Sequence, residues 1–185
     1  MKFNVIITTD TDGGISRYNK LPWYFPEDAA FFEQTTINHV CIMGRRTAID
    51  LKDPLKDRDN IVITQQVDDP RLQSFTVATS FYQALQLAIT KAKPIIGKQI
   101  FIIGGSRLFN EALSPSYKQN LDKIYYLHIS KSFHCDNFIR EPILNRSDAI
   151  TTILDTKNVK SIDTINAINK VGDVTLTFYL IKCHY

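Results

Sequence analysis

Cysteine is scarce in this chain: three residues in 185, Cys41, Cys135 and Cys183, far apart from one another. An odd count at wide spacings excludes a disulfide framework and points to a reducing compartment, the cytoplasm by default. Cys41 lies inside Val40-Cys41-Ile42-Met43, where a free thiol behaves as a small hydrophobe. No apolar run approaches the roughly 18 residues of a membrane span. The first apolar stretch, residues 3–7, meets Thr8, Thr9 and Asp10 too soon for a signal peptide. Neither sign of charge dominates. Lys and Arg total 22 against 19 Asp and Glu, a net charge of +3, and no basic run is present, which argues against a nucleic-acid partner. A G-x-S-x-G nucleophile turn is missing. His134-Cys135-Asp136 and Cys183-His184 are adjacent pairs without a zinc spacing, so no metal site is expected. His39, His128 and His134 are expected to be structural or exposed. No repeat, low-complexity tract or linker divides the chain, and a single domain over residues 1–185 is expected.

What is present is an ordinary globular composition, 44% hydrophobic and 22% charged. A chain of this length buries roughly 70% of its unfolded surface on folding. Apolar strand-like runs alternate with amphipathic segments, which predicts an α/β fold. Strands are expected at residues 3–9, 40–43, 60–64, 75–77, 99–103, 123–129, 150–154 and 174–182. The short all-apolar runs read as strands buried on both faces, as in a parallel sheet. The last run partly alternates (Val174, Leu176, Phe178, Leu180), which suits an antiparallel strand near an edge. Helices are expected at 26–36, 45–51 and 106–113, and after Ser80, where Phe81, Ala84, Leu85, Ala88 and Ile89 share a face. The polar, Asn-rich stretch 157–173 reads as a loop joining the last two strands.

Three motifs carry chemistry. The first is Leu21-Pro22-Trp23-Tyr24-Phe25-Pro26-Glu27-Asp28, with two prolines around the only tryptophan and two acids opening a helix. At about 100° per residue, Phe25, Ala29, Phe32 and Thr36 share a face, Asp28 stands about 70° from its centre, and Glu27 points to water. A carboxylate at the rim of an aromatic face has its charged form disfavoured, which suits proton transfer. Spacing alone leaves open that both acids merely complement the helix N-terminus. The second motif is Cys41-Ile42-Met43-Gly44-Arg45-Arg46-Thr47, a strand ending in glycine and opening a helix with two arginines; it suits phosphate or is a solvated turn. The third is Ile100-Phe101-Ile102-Ile103-Gly104-Gly105-Ser106-Arg107, a strand ending in paired glycines, which either admit a ligand or make a tight turn. In open α/β sheets ligands gather at the carboxyl ends of strands, so the three motifs are expected around one cleft.

In this order the motifs resemble those of the dihydrofolate reductase family, over essentially the whole chain. Leu21-Pro22-Trp23 with Pro26 and Asp28 resembles the family's L-P-W-x-x-P-x-D, and Ile42-Met43-Gly44-Arg45-x-Thr47 its I-M-G-R-x-T. Pro54-Leu55-x-x-Arg58-x-Asn60-Ile61 is similar to P-L-x-x-R-x-N-I, Ile103-Gly104-Gly105 to the family's cis-linked glycine pair, and Phe133-x-Cys135-Asp136 to F-x-C-D. The resemblance implies the family's fold: a central, mostly parallel twisted sheet of about eight strands with an antiparallel C-terminal strand and about four flanking helices. It implies an NADPH-dependent oxidoreductase that converts dihydrofolate to tetrahydrofolate for one-carbon metabolism and nucleotide biosynthesis, and an antifolate target. Asp28 would be the acid that holds the pterin and promotes protonation, through water near Trp23. Phe32, Leu51 and Leu55 would wall the substrate, with Ile6 and Thr8 giving backbone and packing and Ile103 a carbonyl at the pocket floor. Arg58 would hold the substrate's α-carboxylate. Gly44, Arg45, Arg46 and Thr47 would receive the cofactor's phosphates, and Gly104, Gly105, Ser106, Arg107 and Leu108 its pyrophosphate and nicotinamide side. Thr64 and Gln65 would lie by the adenosine, and Thr8 and Ile15 would also touch the cofactor. Residues 12–20 would form the loop that closes over the nicotinamide. A monomer is implied, with coupling to a thymidylate synthase left open.

The chain also departs from the pattern. Leu127 stands where the family has a threonine that donates to the acid, so Asp28 is expected to lose a bond worth about 1.5–3 kcal/mol unless another group replaces it. Ala48 stands for an aromatic, Asp50 for a serine near the substrate, and Phe109 for a tyrosine. Ser106 takes a position where Gly or Ala is common, and Gly13-Gly14-Ile15-Ser16 departs from G-I-G. Gln65 stands for a Ser or Arg near the ribose phosphate, which weakens the case for strict NADPH preference. Two other readings stay open. One is a same-fold riboflavin-pathway pyrimidine reductase, whose S-x-D-G opening Thr9-Asp10-Thr11-Asp12-Gly13 faintly resembles; the other is a catalytically impaired folate and NADPH binder, suggested by Leu127, Ala48 and Asp50.

Overall fold

A computed structural model of the chain describes residues 2–141, 143–160 and 173–184. Its strands are β1 (Phe3–Thr9), β2 (Gly14–Ser16), β3 (Val40–Gly44), β4 (Asp59–Ile63), β5 (Thr76–Ala78), β6 (Ile100–Ile102), β7 (Leu121–Ile129), β8 (Asn137–Phe138), β9 (Ala149–Lys160) and β10 (Asp173–Cys183). Its α-helices, among the described residues, are α1 (Pro26–Thr36), α2 (Arg45–Leu51), α3 (Phe81–Ala92) and α4 (Ser106–Ala112). Eight strands form one sheet in the order β5-β4-β3-β6-β1-β7-β10-β9, and β2 pairs with β8 apart from it. The first six of that order run parallel; β10 is antiparallel to both of its neighbours.

The parallel strands are covered on both faces, as their continuous apolar runs predict. In β3, Val40 and Ile42 join one core cluster while Cys41 and Met43 join another on the opposite face. In β1, Phe3, Val5 and Ile7 enter the first of these, which leaves Asn4, Ile6 and Thr8 on the other side. A third cluster of Trp23, Phe25, Leu127, Ile129, Phe133, Leu176 and Phe178 lies beneath α1. Ser80 caps α3 by accepting from the Gln83 N–H. Burial pushes the Cys41 and Cys135 thiols up to about 12.

Two expectations need correction. The stripe that α1 packs against the sheet is turned by roughly 70° from the expected one. Ala29 is exposed, while Phe31 meets Phe178 edge-on with centroids 5.1 Å apart and Thr36 is fully buried. Asp28 therefore lies at the middle of the packed stripe, and Glu27 is half-buried instead of free in water. The physical reason is that the sheet takes the Phe31 ring, against Phe178, in preference to the small Ala29. The second correction concerns 157–173. Strand β9 runs on to Lys160, paired with β10 from Lys160↔Asp173 to Ala149↔Cys183, with a register shift between Phe178 and Tyr179. Residues 157–160 are thus strand, and 161–172 lie outside the described residues. As an edge strand exposed along nearly all its length, β9 needs no apolar pattern, and its composition hid it.

Candidate active site

The chemistry collects at the carboxyl ends of the parallel strands. In sheet order the neighbouring ends of β4, β3, β6 and β1 bring Thr64, Gly44, Ile103-Gly104 and Thr8 side by side. At about 4.8 Å per strand this row is roughly 14 Å long. Chain direction reverses here: β1 leads by way of α1 to β3 on one side, and β6 leads by way of α4 to β7 on the other.

Asp28 reaches this row from the first turn of α1. The Thr8 hydroxyl donates to its Oδ1 at 2.8 Å, and Trp23 Nε1 donates to its Oδ2 at 3.3 Å. Burial raises the Asp28 pKa above the ordinary carboxylate value, and the bonds from Thr8 and Trp23 oppose that rise. Trp23 is itself buried and packs edge-on against Phe133, with centroids 5.4 Å apart. The expectation that Asp28 lacks a hydroxyl partner is corrected. Leu127 is fully buried and offers none, but Thr8, its register partner on the adjacent strand, supplies one.

The same helix builds a second station. Thr36, two turns beyond Asp28, accepts from Arg58 Nη1 at 3.0 Å and donates to the Phe32 carbonyl. Arg58 Nε donates to the Lys56 carbonyl at 2.9 Å, and its guanidinium carbon lies 6.0 Å from the Phe32 ring centroid. Eight residues at about 1.5 Å each put this cation roughly 12 Å along the helix from the acid. Leu55 is half-buried and Leu51 exposed, while Asn60 pins the Leu55 backbone through its N–H and its carbonyl.

Gly44 and Gly104 are joined, the Gly44 N–H donating to the Gly104 carbonyl at 2.7 Å. A Cβ on Gly44 would meet Gly104 O and Gly105 N at 3.7 Å, and one on Gly105 would meet Thr47 Oγ1 at 3.7 Å. The Gly104–Gly105 peptide is cis. No side chain among the described residues caps α2 or α4, which leaves their first N–H groups beside Arg45, Arg46, Ser106 and the exposed Arg107. This donor set suits an anionic, extended ligand. Ile103 is half-buried with its N–H on the Ile42 carbonyl, and Ile6 is buried. Ile15 and Leu108 have buried side chains in the main core cluster, leaving their backbone as what a ligand could meet. Ala48 is fully buried among Cys41, Met43 and Leu72, away from any surface, and Asp50 is exposed.

An open pocket of about 460 Å³ adjoins this row, lined by Arg45, residues 65–70 and Arg71. Asp69 organises it by accepting from Arg45 Nη2 at 2.6 Å and from Arg71 Nη2 at 2.8 Å, and the Arg71 bonds hold its carboxyl well below the usual range. Thr64 and Gln65 sit at its strand side, and Thr64 Oγ1 accepts from the Gln66 N–H.

Residues 12–20 are fastened to their surroundings. Buried Asp10 accepts from the N–H groups of Asp12, Gly14 and Phe133 at 2.8–3.0 Å. Asp136 accepts from Tyr18 N at 2.7 Å, and Asn19 Oδ1 accepts from Arg46 Nη1 at 2.8 Å. The Thr9-Asp10-Thr11-Asp12-Gly13 run thus serves as a turn clamp. Sequence reasoning missed the roles of the Thr8 hydroxyl, Asp10, Thr36, Asp69 and Arg71. Of these only Asp10 leaves a local sign, an Asp four residues before a glycine in a turn-rich stretch.

Comparison with known proteins places the site in context. A family model described as dihydrofolate reductase matches residues 2–169. A dihydrofolate reductase of Ureaplasma parvum serovar 3 is 42% identical over 131 residues, covering 70% of this chain and 76% of that protein. A bifunctional dihydrofolate reductase-thymidylate synthase of Glycine max is 30% identical over 149 residues, 74% of this chain but 28% of that protein. A solved dihydrofolate reductase from Enterococcus faecalis, complexed with NADP(H) and RAB-propyl, superimposes with a TM-score of 0.72 at 24% identity over 100% of this chain and 97% of that one. With an aromatic-flanked acid, an arginine two turns on and a glycine-lined row of strand ends, and with a family model spanning residues 2–169, the chain belongs to the dihydrofolate reductase family.

Proposed function

We propose that this chain reduces 7,8-dihydrofolate to tetrahydrofolate with NADPH, acting as one domain over residues 1–185 and as a standalone monomer in the cytoplasm. The observation that carries the reading is α1 itself: an acid of raised proton affinity in its first turn and a tethered guanidinium two turns on, a spacing suited to a flat ring joined to a carboxylate tail. Asp28 pairs with the donor edge of the pterin and, with a water near Trp23, delivers a proton to the ring nitrogen beside the reacting carbon. Its raised pKa keeps a proton within reach nearer neutrality than an exposed aspartate could. Phe32, Leu51 and Leu55 flank the ring and the aminobenzoyl group. Arg58 grips the α-carboxylate with donors its two protein bonds leave over.

NADPH, when bound, supplies the hydride for carbon 6 of the pterin. Gly44, Arg45, Arg46 and Thr47 hold its phosphates, and Gly104, Gly105, Ser106 and Arg107 line the pyrophosphate and nicotinamide side. Thr64, Gln65 and the 460 Å³ pocket with Arg45 and Arg71 take the adenosine end. Ile6, Thr8, Ile15, Ile103 and Leu108 shape the space between. The Ureaplasma relative, 76% of which is matched, supports a standalone enzyme. The test mixes the protein with NADPH and dihydrofolate and separates the products. One tetrahydrofolate per NADPH consumed is expected; NADPH consumed only with a riboflavin-pathway pyrimidine, or binding of both ligands without turnover, overturns the reading.

A further inference from the structure

Two consecutive threonines end β1, and they serve opposite faces of the sheet. Thr9 is buried, and its hydroxyl shares a 2.8 Å hydrogen bond with the Tyr126 hydroxyl. Thr8 faces α1, half-buried, and its hydroxyl donates to Asp28 Oδ1 at 2.8 Å. Of the bonds Asp28 makes, this is the shorter; the Trp23 bond to Oδ2 is 3.3 Å long. The groups from other elements that bond the carboxylate are Thr8 of β1 and Trp23 of the preceding loop, neither of them ionisable. The adjacent ionisable group on its own helix is Glu27, which is half-buried. Leu127 is register partner to Thr8 and fully buried beside Trp23, so its position presents only carbon. The charged form of Asp28 thus depends on one hydroxyl for its closest donor. A β-branched side chain in a strand has restricted χ1, so that donor is set in place by β1.

We propose that Thr8 is the positioning residue of this active site: its hydroxyl fixes the orientation of the Asp28 carboxylate and sets how readily that group gives up its proton. The inference rests on the functional reading above, in which Asp28 is the acid. Loss of a hydrogen bond that favours the charged form raises the proton affinity of the group. Thr8→Val keeps the shape and removes the donor, whereas Thr8→Ser keeps the donor and loses a methyl.

The test records the pH dependence of turnover for the wild-type protein and both variants. It also titrates the Asp28 carboxyl by carbon-13 NMR in the same three proteins. Thr8→Val is expected to move the Asp28 titration, and with it the descending limb of the rate profile, upward by about one pH unit. The Michaelis constant for dihydrofolate should rise several-fold as the carboxylate loses its fixed orientation. Thr8→Ser is expected to stay near the wild type in both readouts. An unmoved carboxyl titration in Thr8→Val overturns the proposal, as does an equal shift in both variants, which would mark a packing effect. The NMR titration needs no turnover, so absence of reductase activity and absence of the Thr8 coupling are separate results.

Discussion

Arg58→Ala separates substrate binding from chemistry in this site. Two of the five N–H donors of the guanidinium are committed, one to the Lys56 carbonyl at 2.9 Å and one to Thr36 Oγ1 at 3.0 Å. Three remain without a partner among the described residues, enough for a two-pronged grip on a carboxylate. Hydrogen bonds to a charged group contribute about 1.5–3 kcal/mol, or about 10- to 150-fold in affinity. Arg58 is half-exposed, so water weakens the pair and the lower part of that range applies. The Michaelis constant for dihydrofolate should rise by about 10- to 30-fold, with the turnover number within about twofold, because the lost contact is common to ground and transition states. Thr36→Val cuts one of the two tethers and should give a smaller rise, several-fold. The assay is steady-state reduction of dihydrofolate beside a dihydropterin that lacks the carboxylate tail. On the truncated substrate, Arg58→Ala and wild type should be indistinguishable. An equal loss on both substrates, or a fall in turnover number at constant Michaelis constant, would refute the placement of Arg58.

Three further outcomes follow from the same geometry. Asp28 has its pKa raised by burial, so between its ordinary and raised values the native state binds the extra proton and stability declines as pH rises through that window. Asp28→Asn should therefore raise the thermal midpoint at pH 8, by on the order of 2–4 °C, and change it little at pH 4; a lower midpoint at pH 8 would count against the assignment. Asp10→Ala strands the N–H groups of Asp12, Gly14 and Phe133 and should cost about 3 kcal/mol in urea unfolding, while Asp10→Asn, which keeps one acceptor oxygen, should cost less. Gly104 has φ +111°, and a Cβ there would lie 2.9 Å from the Phe109 ring, so Gly104→Ala should destabilise by about 2 kcal/mol and weaken NADPH binding; an unchanged urea midpoint would contradict the crowding.

Strand and helix positions were legible where burial imposes a period. The runs Val40-Cys41-Ile42-Met43 and Ile100-Phe101-Ile102 are apolar at every position because both faces of a central strand are covered. Helix α1 was legible in its bounds, but its facing was not. Phe31 and Phe32 are both apolar, and only the docking of Phe31 on Phe178 decides which way the helix turns. The polar half of β9 was hidden because an exposed edge strand owes its existence to its hydrogen-bonded neighbour and not to side-chain pattern. The family motifs name candidate site residues one by one, but the contacts that support those residues leave no such mark in the sequence. Thr8 with Asp28, Thr36 with Arg58 and Asp69 with Arg45 are separated by 20, 22 and 24 positions. Such pairs meet only once the sheet order is fixed, which is why the substitution at Leu127 looked uncompensated.

The most direct test of the central claim follows absorbance at 340 nm with purified protein, NADPH and dihydrofolate, with Asp28→Asn alongside. A steady decay with the wild type, nearly abolished in a variant that still binds NADPH by fluorescence quenching, is the predicted result. No decay with the wild type, or an equal decay with Asp28→Asn, would contradict the assignment of a reductase whose acid is Asp28.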